Sequence, residues 1–494
     1  METLYHSTRS SDETVTSKQA ILTGIAPDGG LYVSDQLGAA KLDLARVAAQ
    51  GYHATARDVL GMLLSDYTAD EVATCVAGAY ADNFDSPAVT PLTPLGPDWL
   101  LELYHGPTCA FKDVALQMLP RLMSVAREGR GQNIMIVTAT SGDTGKAALE
   151  GFADVPGTGV TVFYPDGKVS DIQHLQMACQ KGANVAVAGI RGNFDDAQTQ
   201  VKRIFASAEV NARLAEAGTV LSSANSINVG RLVPQVAYYV DAYAQLVKRG
   251  AIALGDEVDY CVPTGNFGDV LAGYYAKCMG LPVGKLIVAS NTNKVLTDFI
   301  ETGTYDRRRD FVKTISPSMD ILISSNLERL LYYLTDGDCE QVAAWMASLA
   351  SEGTYTLPAS LMERMRATFS CGFATDEDTR ATIRSTWENL GVLIDPHTAV
   401  GKCVLDRRES EGRARVCLST ADPYKFSADV LAALGTVTSG MDGFACMDAL
   451  QNLTDVAAPA QLSGLRDAEV LHPDVVDQDE MADFVEAACA RVFA

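Results

Sequence analysis

Histidine is scarce in this chain, six in 494 residues, and none of its eleven cysteines forms a Cys-x-x-Cys pair. Without such pairs or clustered histidines, no zinc site is indicated. The cysteines lie scattered from Cys75 to Cys489, so no disulfide framework is indicated either, and such usage fits a reducing compartment. Basic side chains are few, 39 against 62 acidic, for a net charge of −23. A surface of that sign repels nucleic-acid phosphates and anionic lipid, so no nucleic-acid or membrane partner is expected. Any anionic substrate must find a local cationic pocket. No uninterrupted apolar run reaches membrane-spanning length. The opening residues Met-Glu-Thr-Leu-Tyr-His-Ser-Thr-Arg, soon followed by Asp12 and Glu13, have no apolar signal core. A cytoplasmic location is therefore expected.

Apolar residues make up 47% of a chain too long for one average core, which predicts two or three domains. Residues 1–99 read as a helical N-terminal domain, with helical spacing over 42–50, 54–67 and 69–84 and a Pro-rich boundary at 87–97. Residues 100–250 read as a smaller α/β domain. Short apolar runs at 100–104, 134–138, 160–164 and 184–188 alternate with helical patterns at 113–127, 145–152, 170–179, 195–208 and 233–247. Residues 251–494 read as a larger α/β domain with strands at 258–262, 285–289 and 416–419, ending in an acidic tail with an amphipathic helix at 481–492. The Tyr-Asp-Arg-Arg-Arg-Asp run at 305–310 reads as a solvated loop. Two α/β layers leave a cleft, the usual place for a cofactor.

Four stretches carry candidate chemistry. Residues 105–117, His-Gly-Pro-Thr-Cys-Ala-Phe-Lys-Asp-Val-Ala-Leu-Gln, place Lys112 among small and apolar neighbours where a turn becomes a helix. Desolvation there lowers an amine's pKa and makes it a candidate nucleophile for an aldehyde; the segment equally fits a helix N-terminal lysine with its head in water. Residues 138–148, Thr-Ala-Thr-Ser-Gly-Asp-Thr-Gly-Lys-Ala-Ala, follow a strand and open a helix. Their backbone N–H groups can converge on an anion, or the stretch is simply a tight strand-to-helix turn. A nucleotide P-loop is excluded, because it needs Gly where Thr140 stands and Ser or Thr where Ala147 stands. The turn Gly265-Asn266-Phe267-Gly268 also lies between a strand and a helix and suits a phosphate, but it lacks the dinucleotide spacing. Asn225-Ser226-Ile227-Asn228-Val229-Gly230-Arg231 offers neutral donors and a guanidinium fork for phosphate or carboxylate, or else a helix cap with a surface arginine. Together, one Schiff-base lysine and three anion-binding turns describe a pyridoxal-phosphate enzyme acting on an anionic substrate.

In these residues the chain resembles the threonine synthases of the longer bacterial and fungal form. The match includes Tyr5 to Arg9, Ala26 to Tyr32, His105 to Gln117, Ser141 to Gly145, Asn225 to Arg231 and Pro263 to Gly268. It continues through Ser316 to Ile321, Asp395 to Val400 and Leu418 to Thr420. The resemblance implies the tryptophan synthase β-like fold (fold type II), with two α/β domains of parallel or mixed sheets, pyridoxal 5′-phosphate in the cleft, and a helical N-terminal domain. It implies that Lys112 holds the cofactor as a Schiff base, that Gly265, Asn266, Phe267 and Gly268 bind its phosphate, and that Thr420 meets its ring nitrogen. Ser141, Asp143 and Thr144 would then take the substrate carboxylate and Asn225, Ser226 and Arg231 its phosphate, with Lys146 as an auxiliary cation. The implied reaction turns O-phospho-L-homoserine and water into L-threonine and phosphate, in a monomer or homodimer. The alternatives are a phospho-lyase releasing 2-oxobutyrate and a non-catalytic sensor of a phosphorylated amino acid. Two positions depart from expectation: Asp422 stands where the family commonly has histidine, and Pro120 should remove a backbone bond and kink the helix behind Lys112.

Overall fold

The apolar runs at 134–138, 160–164 and 184–188 become the centre of one sheet. In the computed structural model, which describes residues 3–140 and 142–494, strands Asn133–Ala139, Thr158–Pro165 and Val185–Ile190 lie parallel and side by side. Thr219–Ser222 and Val475–Val476 flank them. Thr158–Pro165 and Val185–Ile190 are buried along their whole length, as strands covered by helices on both faces must be. A second sheet has six strands in the order Phe369–Phe373, Val283–Ser290, Val258–Pro263, Ala414–Ser419, Asp98–Glu102, Leu92–Leu95.

Two segments leave the continuous ranges expected of them. Strand Asp98–Glu102, expected to open the sheet of residues 100–250, pairs instead with Ala414–Ser419 of the second sheet. The Pro-rich passage before it holds an unexpected strand, Leu92–Leu95, turned back antiparallel through Gly96 at φ 65°. Pro94 is tolerated there because this strand is an edge. The tail also crosses over. Val475–Val476 pairs with Val185–Ile190, and helix Met481–Val492 buries Met481 and Val485 in a cluster with Met135, Val137 and Phe163 of the first sheet. The run at 305–310 is partly ordered: Thr304–Asp306 pairs with Thr354–Thr356, and Arg309 bonds Asp298.

The N-terminal unit packs helices Tyr52–Leu63 and Ala69–Tyr80 into a core continuous with the two long helices behind the site, Lys112–Arg127 and Val229–Lys248. It also carries a small sheet of Leu4–Ser7, Ser10–Thr16 and Tyr32–Val33. Its Ala26 to Tyr32 motif is a compact turn: Asp28 Oδ1 accepts Ser7 Oγ and Gly30 N, both at 2.8 Å. A Cβ on Gly30 would stand 2.0 Å from Ser7 Oγ.

Pro120 does not end the helix behind Lys112, which runs unbroken from Lys112 to Arg127. The bond a proline removes is the one to the carbonyl four residues back, here Leu116. Helix Asp143–Phe152 meets that carbonyl at Gly151, where a Cβ would lie 1.8 Å from Leu116 O. Only a glycine permits this approach, so the carbonyl left free by Pro120 becomes a point of close helix contact.

Candidate active site

Lys112 is the first residue of its helix, and the turn before it is tightly determined. Asp113, with no exposed surface, accepts Thr108 N at 2.8 Å and Thr108 Oγ1 at 2.6 Å. Burial pushes its carboxyl up to about 6 against those bonds. Gly106 must lack a side chain, since a Cβ would meet Asp113 Cβ at 2.4 Å. Cys109 then takes a left-handed φ of 57°, the strained region for a side chain. Next, the chain lies along residues 420–422: Phe111 N donates to Thr420 O at 2.8 Å and Asp422 N to Cys109 O at 3.1 Å. Backbone pairing thus brings Thr420 beside Lys112, although they lie 308 positions apart in sequence.

The Lys112 ammonium is largely but not fully buried, and loosely held. Its Nζ is 3.4 Å from Ser318 Oγ and 3.7 Å from Asp143 Oδ2. Burial lowers its pKa; Asp143 opposes that shift, and Arg231 and Lys425 add to it. Asp143, expected with the loop that takes a carboxylate, is committed to lysines: its other oxygen, Oδ1, is 2.8 Å from Lys425 Nζ. Burial disfavours its ionisation, but Lys425 and then Lys112 outweigh this and hold it well below the usual carboxylate range. An ionised carboxylate so placed repels another, so the Asp143 side chain is not a contact for one.

Ser318 is presented by a short turn, Pro317–Met319, with strong support. Its N–H donates to His397 Nε2 at 3.1 Å, and His397 Nδ1 lies 2.8 Å from Asp395 Oδ1, a carboxylate with no exposed surface. This pattern places the imidazole proton on Nδ1. Asp320 accepts Asn291 Nδ2, Asn293 Nδ2 and Thr314 Oγ1 at 2.8–2.9 Å, which fixes the far side of the turn.

The turn at 265–268 enters helix Gly268–Cys278 through Phe267 at a left-handed φ of 64°. A Cβ on Gly265 would stand 2.8 Å from Ser318 O, so this turn and the Ser318 turn touch. Ser324 Oγ donates to Gly265 O at 2.7 Å and Asn326 N to Asn266 O at 3.0 Å. The carbonyls are thereby occupied, while the first amides of the helix have no partners within it and suit an anion.

The third turn leads into helix Val229–Lys248, which begins four residues before its expected start at 233. Asn228 caps the helix by accepting Gly230 N at 2.8 Å, and the helix continues through Pro234. The longer helix places Arg231 in that first turn. Its side chain is buried, with Nη1 donating to Ala224 O at 2.9 Å, but Nε has no partner and no carboxylate pairs with it among the described residues. Burial alone lowers its pKa, to about 10. Ser226 Oγ lies 3.5 Å from Ser325 Oγ, and Asn225 is exposed at the rim.

Of the remaining expected residues, Thr144 opens helix Asp143–Phe152, whose entry is folded by Thr140 Oγ1 accepting Gly142 N at 3.1 Å and Gly145 N at 3.3 Å. Ser141 lies outside the described residues. Lys146 is turned away: its ammonium bonds Glu150 at 3.2 Å and Gln180. It is therefore a satisfied buried cation and not an auxiliary one for a ligand. Asp422 neither faces solvent nor stands free. It is buried, accepts Tyr424 N at 2.8 Å, and is pushed up to about 7 by burial, with Asp395 adding to the shift.

Lys425, Ser318 and His397 escaped sequence reasoning as functional groups. Ser318 and His397 lie in matched motifs without a stated role, and Lys425 has no local signal at all.

Three family models match the chain in order: "Threonine synthase N terminus" over residues 4–80, "Pyridoxal-phosphate dependent enzyme" over 86–369, and "Threonine synthase, C-terminal" over 398–485. Threonine synthase-like 1 of Homo sapiens is 40% identical over 84% of this chain, which spans 58% of that protein's length. Threonine synthase of Schizosaccharomyces pombe is 34% identical, with 94% of each chain covered. The crystal structure of pyridoxal-phosphate-bound threonine synthase from Brucella melitensis superposes with a TM-score of 0.90 at 37% identity, covering 100% of both chains. Matches running from end to end, in sequence and in fold, lead to one conclusion: the chain belongs to the threonine synthase family of pyridoxal-phosphate-dependent enzymes.

Proposed function

We propose that this protein converts O-phospho-L-homoserine and water into L-threonine and phosphate, using pyridoxal phosphate bound through Lys112. The observation that carries the proposal is Arg231, a buried guanidinium with an unpartnered Nε and no carboxylate partner among the described residues, within electrostatic reach of the Lys112 amine. A buried cation without counter-charge is costly unless a ligand supplies one. The residues fit the cofactor as well, since Gly265 has no room for a side chain and the Gly265–Gly268 turn opens a helix.

When bound, the cofactor supplies an electron sink that stabilises negative charge on the substrate's carbons. Gly265, Asn266, Phe267 and Gly268 would hold its phosphate, and the Thr420 hydroxyl would face its ring nitrogen without adding a negative charge there. Arg231, Ser226 and Asn225 grip the substrate's phosphate, and Thr144 with Ser141 receives its carboxylate. The free Lys112 amine would be the base that takes a proton from Cα and then one from Cβ, passing the first on before it accepts the second. The Cγ–O bond breaks as phosphate leaves, Cγ is protonated, water adds its hydroxyl at Cβ, and Cα regains a proton, the water's own proton balancing the phosphate. Burial favours the neutral amine that this role needs. We further propose a cytoplasmic monomer or homodimer, in keeping with eleven free cysteines.

Product analysis tests the reaction. Incubation with O-phospho-L-homoserine should yield L-threonine and phosphate in equal amounts, and Lys112→Ala should abolish both. Release of 2-oxobutyrate without threonine would assign the protein to the phospho-lyase reaction, and binding without turnover would make it a sensor.

A further inference from the structure

Lys425 is a second lysine at the site, and its side chain is more deeply buried than that of Lys112, 1% against 12% exposed. It extends from the short turn Pro423–Phe426 that follows Thr420. Its ammonium lies 2.8 Å from Asp143 Oδ1 and donates to Thr108 O at 2.6 Å. Asp143 Oδ2 points the other way, to Lys112 at 3.7 Å. One carboxylate thus bridges two lysines, one tightly and one loosely. The carbonyl of Thr108 belongs to the turn that sets Lys112, and Thr108 N and Oγ1 are bonded to Asp113, the next residue along. Lys425 therefore ties together the helix carrying Asp143, the turn before Lys112 and the segment carrying Thr420.

We infer that Lys425 is a positioning residue that clamps Asp143 so that its free oxygen faces Lys112, making Asp143 the counter-ion of Lys112 and not a contact for the substrate's carboxylate. The inference rests on the reading of Lys112 given above. The geometry explains the unequal distances. A carboxylate anchored by Lys425 cannot close on Lys112 to form a full ion pair, so Lys112 can leave it to bond the cofactor. When the free Lys112 amine takes a proton from a substrate carbon, the electron pair of the broken C–H bond stays with the substrate and the new ammonium finds Asp143 already ionised. Lys425 keeps its proton throughout: burial opposes the charge, but Asp143 outweighs this.

The charged groups acting on Lys112 are Asp143, Arg231 and Lys425, and those acting on Asp143 are Lys425 and Lys112, with the imidazole of His397 a further titratable neighbour of Asp143. Cys109 and Asp113 also act on Lys425. Removing Lys425 takes away a cation and leaves the anion to Lys112 alone, so Lys112 should hold its proton more tightly. Removing the anion should do the reverse.

The test is a pH titration of Lys112 in two forms of the full chain. One is the cofactor-loaded protein, read by its visible absorbance. The other is the cofactor-free protein, read by the pH dependence of Lys112 acylation quantified by peptide mass analysis. Lys425→Met should raise both midpoints by about one pH unit, a tenfold change in proton affinity. Asp143→Asn should lower them by a similar amount, and Lys425→Arg should keep them near the wild-type values. Unmoved midpoints in Lys425→Met, or shifts of the same sign in Lys425→Met and Asp143→Asn, would overturn the inference. If Lys425→Met does not fold, the other two variants decide it. The cofactor-free titration is independent of turnover, so its failure is distinguishable from failure of the assigned reaction.

Discussion

Two buried arginines near the same turn differ in how their charges are met. Arg329, with no exposed surface, donates from all three of its nitrogens: Nε to Tyr32 O at 2.9 Å, Nη2 to Ile227 O at 2.6 Å, and Nη1 to Asn326 Oδ1. These bonds join the N-terminal unit, the Asn225–Arg231 turn and the segment that supports Asn266. Arg231, 4% exposed, has one bond, to Ala224 O, and a bare Nε. The first guanidinium is finished by the protein and the second is not. Burial of a charged group therefore does not identify a ligand site; a buried guanidinium with an unmet donor beside the other groups of a site is a candidate for one.

The comparison can be broken at either end. Arg329→Met leaves three acceptors unpaired in the interior, and the expected loss of stability is about 3–5 kcal/mol, measured by denaturant unfolding. Arg231→Met strands one carbonyl and removes an uncompensated charge. Its stability should stay near wild type while KM for O-phospho-L-homoserine rises on the order of a hundredfold, as for loss of a charge-assisted phosphate contact. Steady-state kinetics beside thermal unfolding would separate the two arginines.

A smaller effect sharpens the structural end. Glu328, next to Arg329, is gripped by Arg9 Nε at 2.8 Å, by Arg9 Nη2 at 2.9 Å and by Thr8 Oγ1 at 2.5 Å. Glu328→Gln should cost about 1.5–3 kcal/mol of stability and change KM little, again read by unfolding and kinetics. A last effect, confined to pH, concerns Asp422, whose carboxyl is raised to about 7 in the folded protein by burial. A raised carboxyl binds its proton more tightly folded than unfolded, so its contribution is present in full below the unfolded pKa near 4 and is lost as pH rises through about 7. Asp422→Asn should flatten that part of the decline in melting temperature between pH 4 and 7.

The sheets were legible because β-branched and apolar runs at 134–138, 160–164 and 258–262 have no competing reading as helix. The helix at 481–492 was legible from its spacing, and the structure gives Met481–Val492. What was lost depends on contacts between distant segments. The strand Leu92–Leu95 hides among prolines that only an edge position tolerates, and the tail's return to Val185–Ile190 leaves no local trace. At the site, Lys112, Thr420 and the Gly265–Gly268 turn stood out through small residues and motif order. Lys425 did not, because its meaning lies in Asp143, 282 positions earlier. The ion pairs of Asp143 and Lys146 were hidden for the same reason: a motif names a residue but not the neighbour that occupies its charge.

The most direct test is the melting temperature of cofactor-loaded wild type and Arg231→Met, each with and without inorganic phosphate. The account predicts that phosphate raises the wild-type melting temperature and not that of the variant, which without phosphate melts no lower than wild type. A variant that melts well below wild type yet keeps the phosphate-induced rise would contradict it, because Arg231 would then be a structural arginine like Arg329.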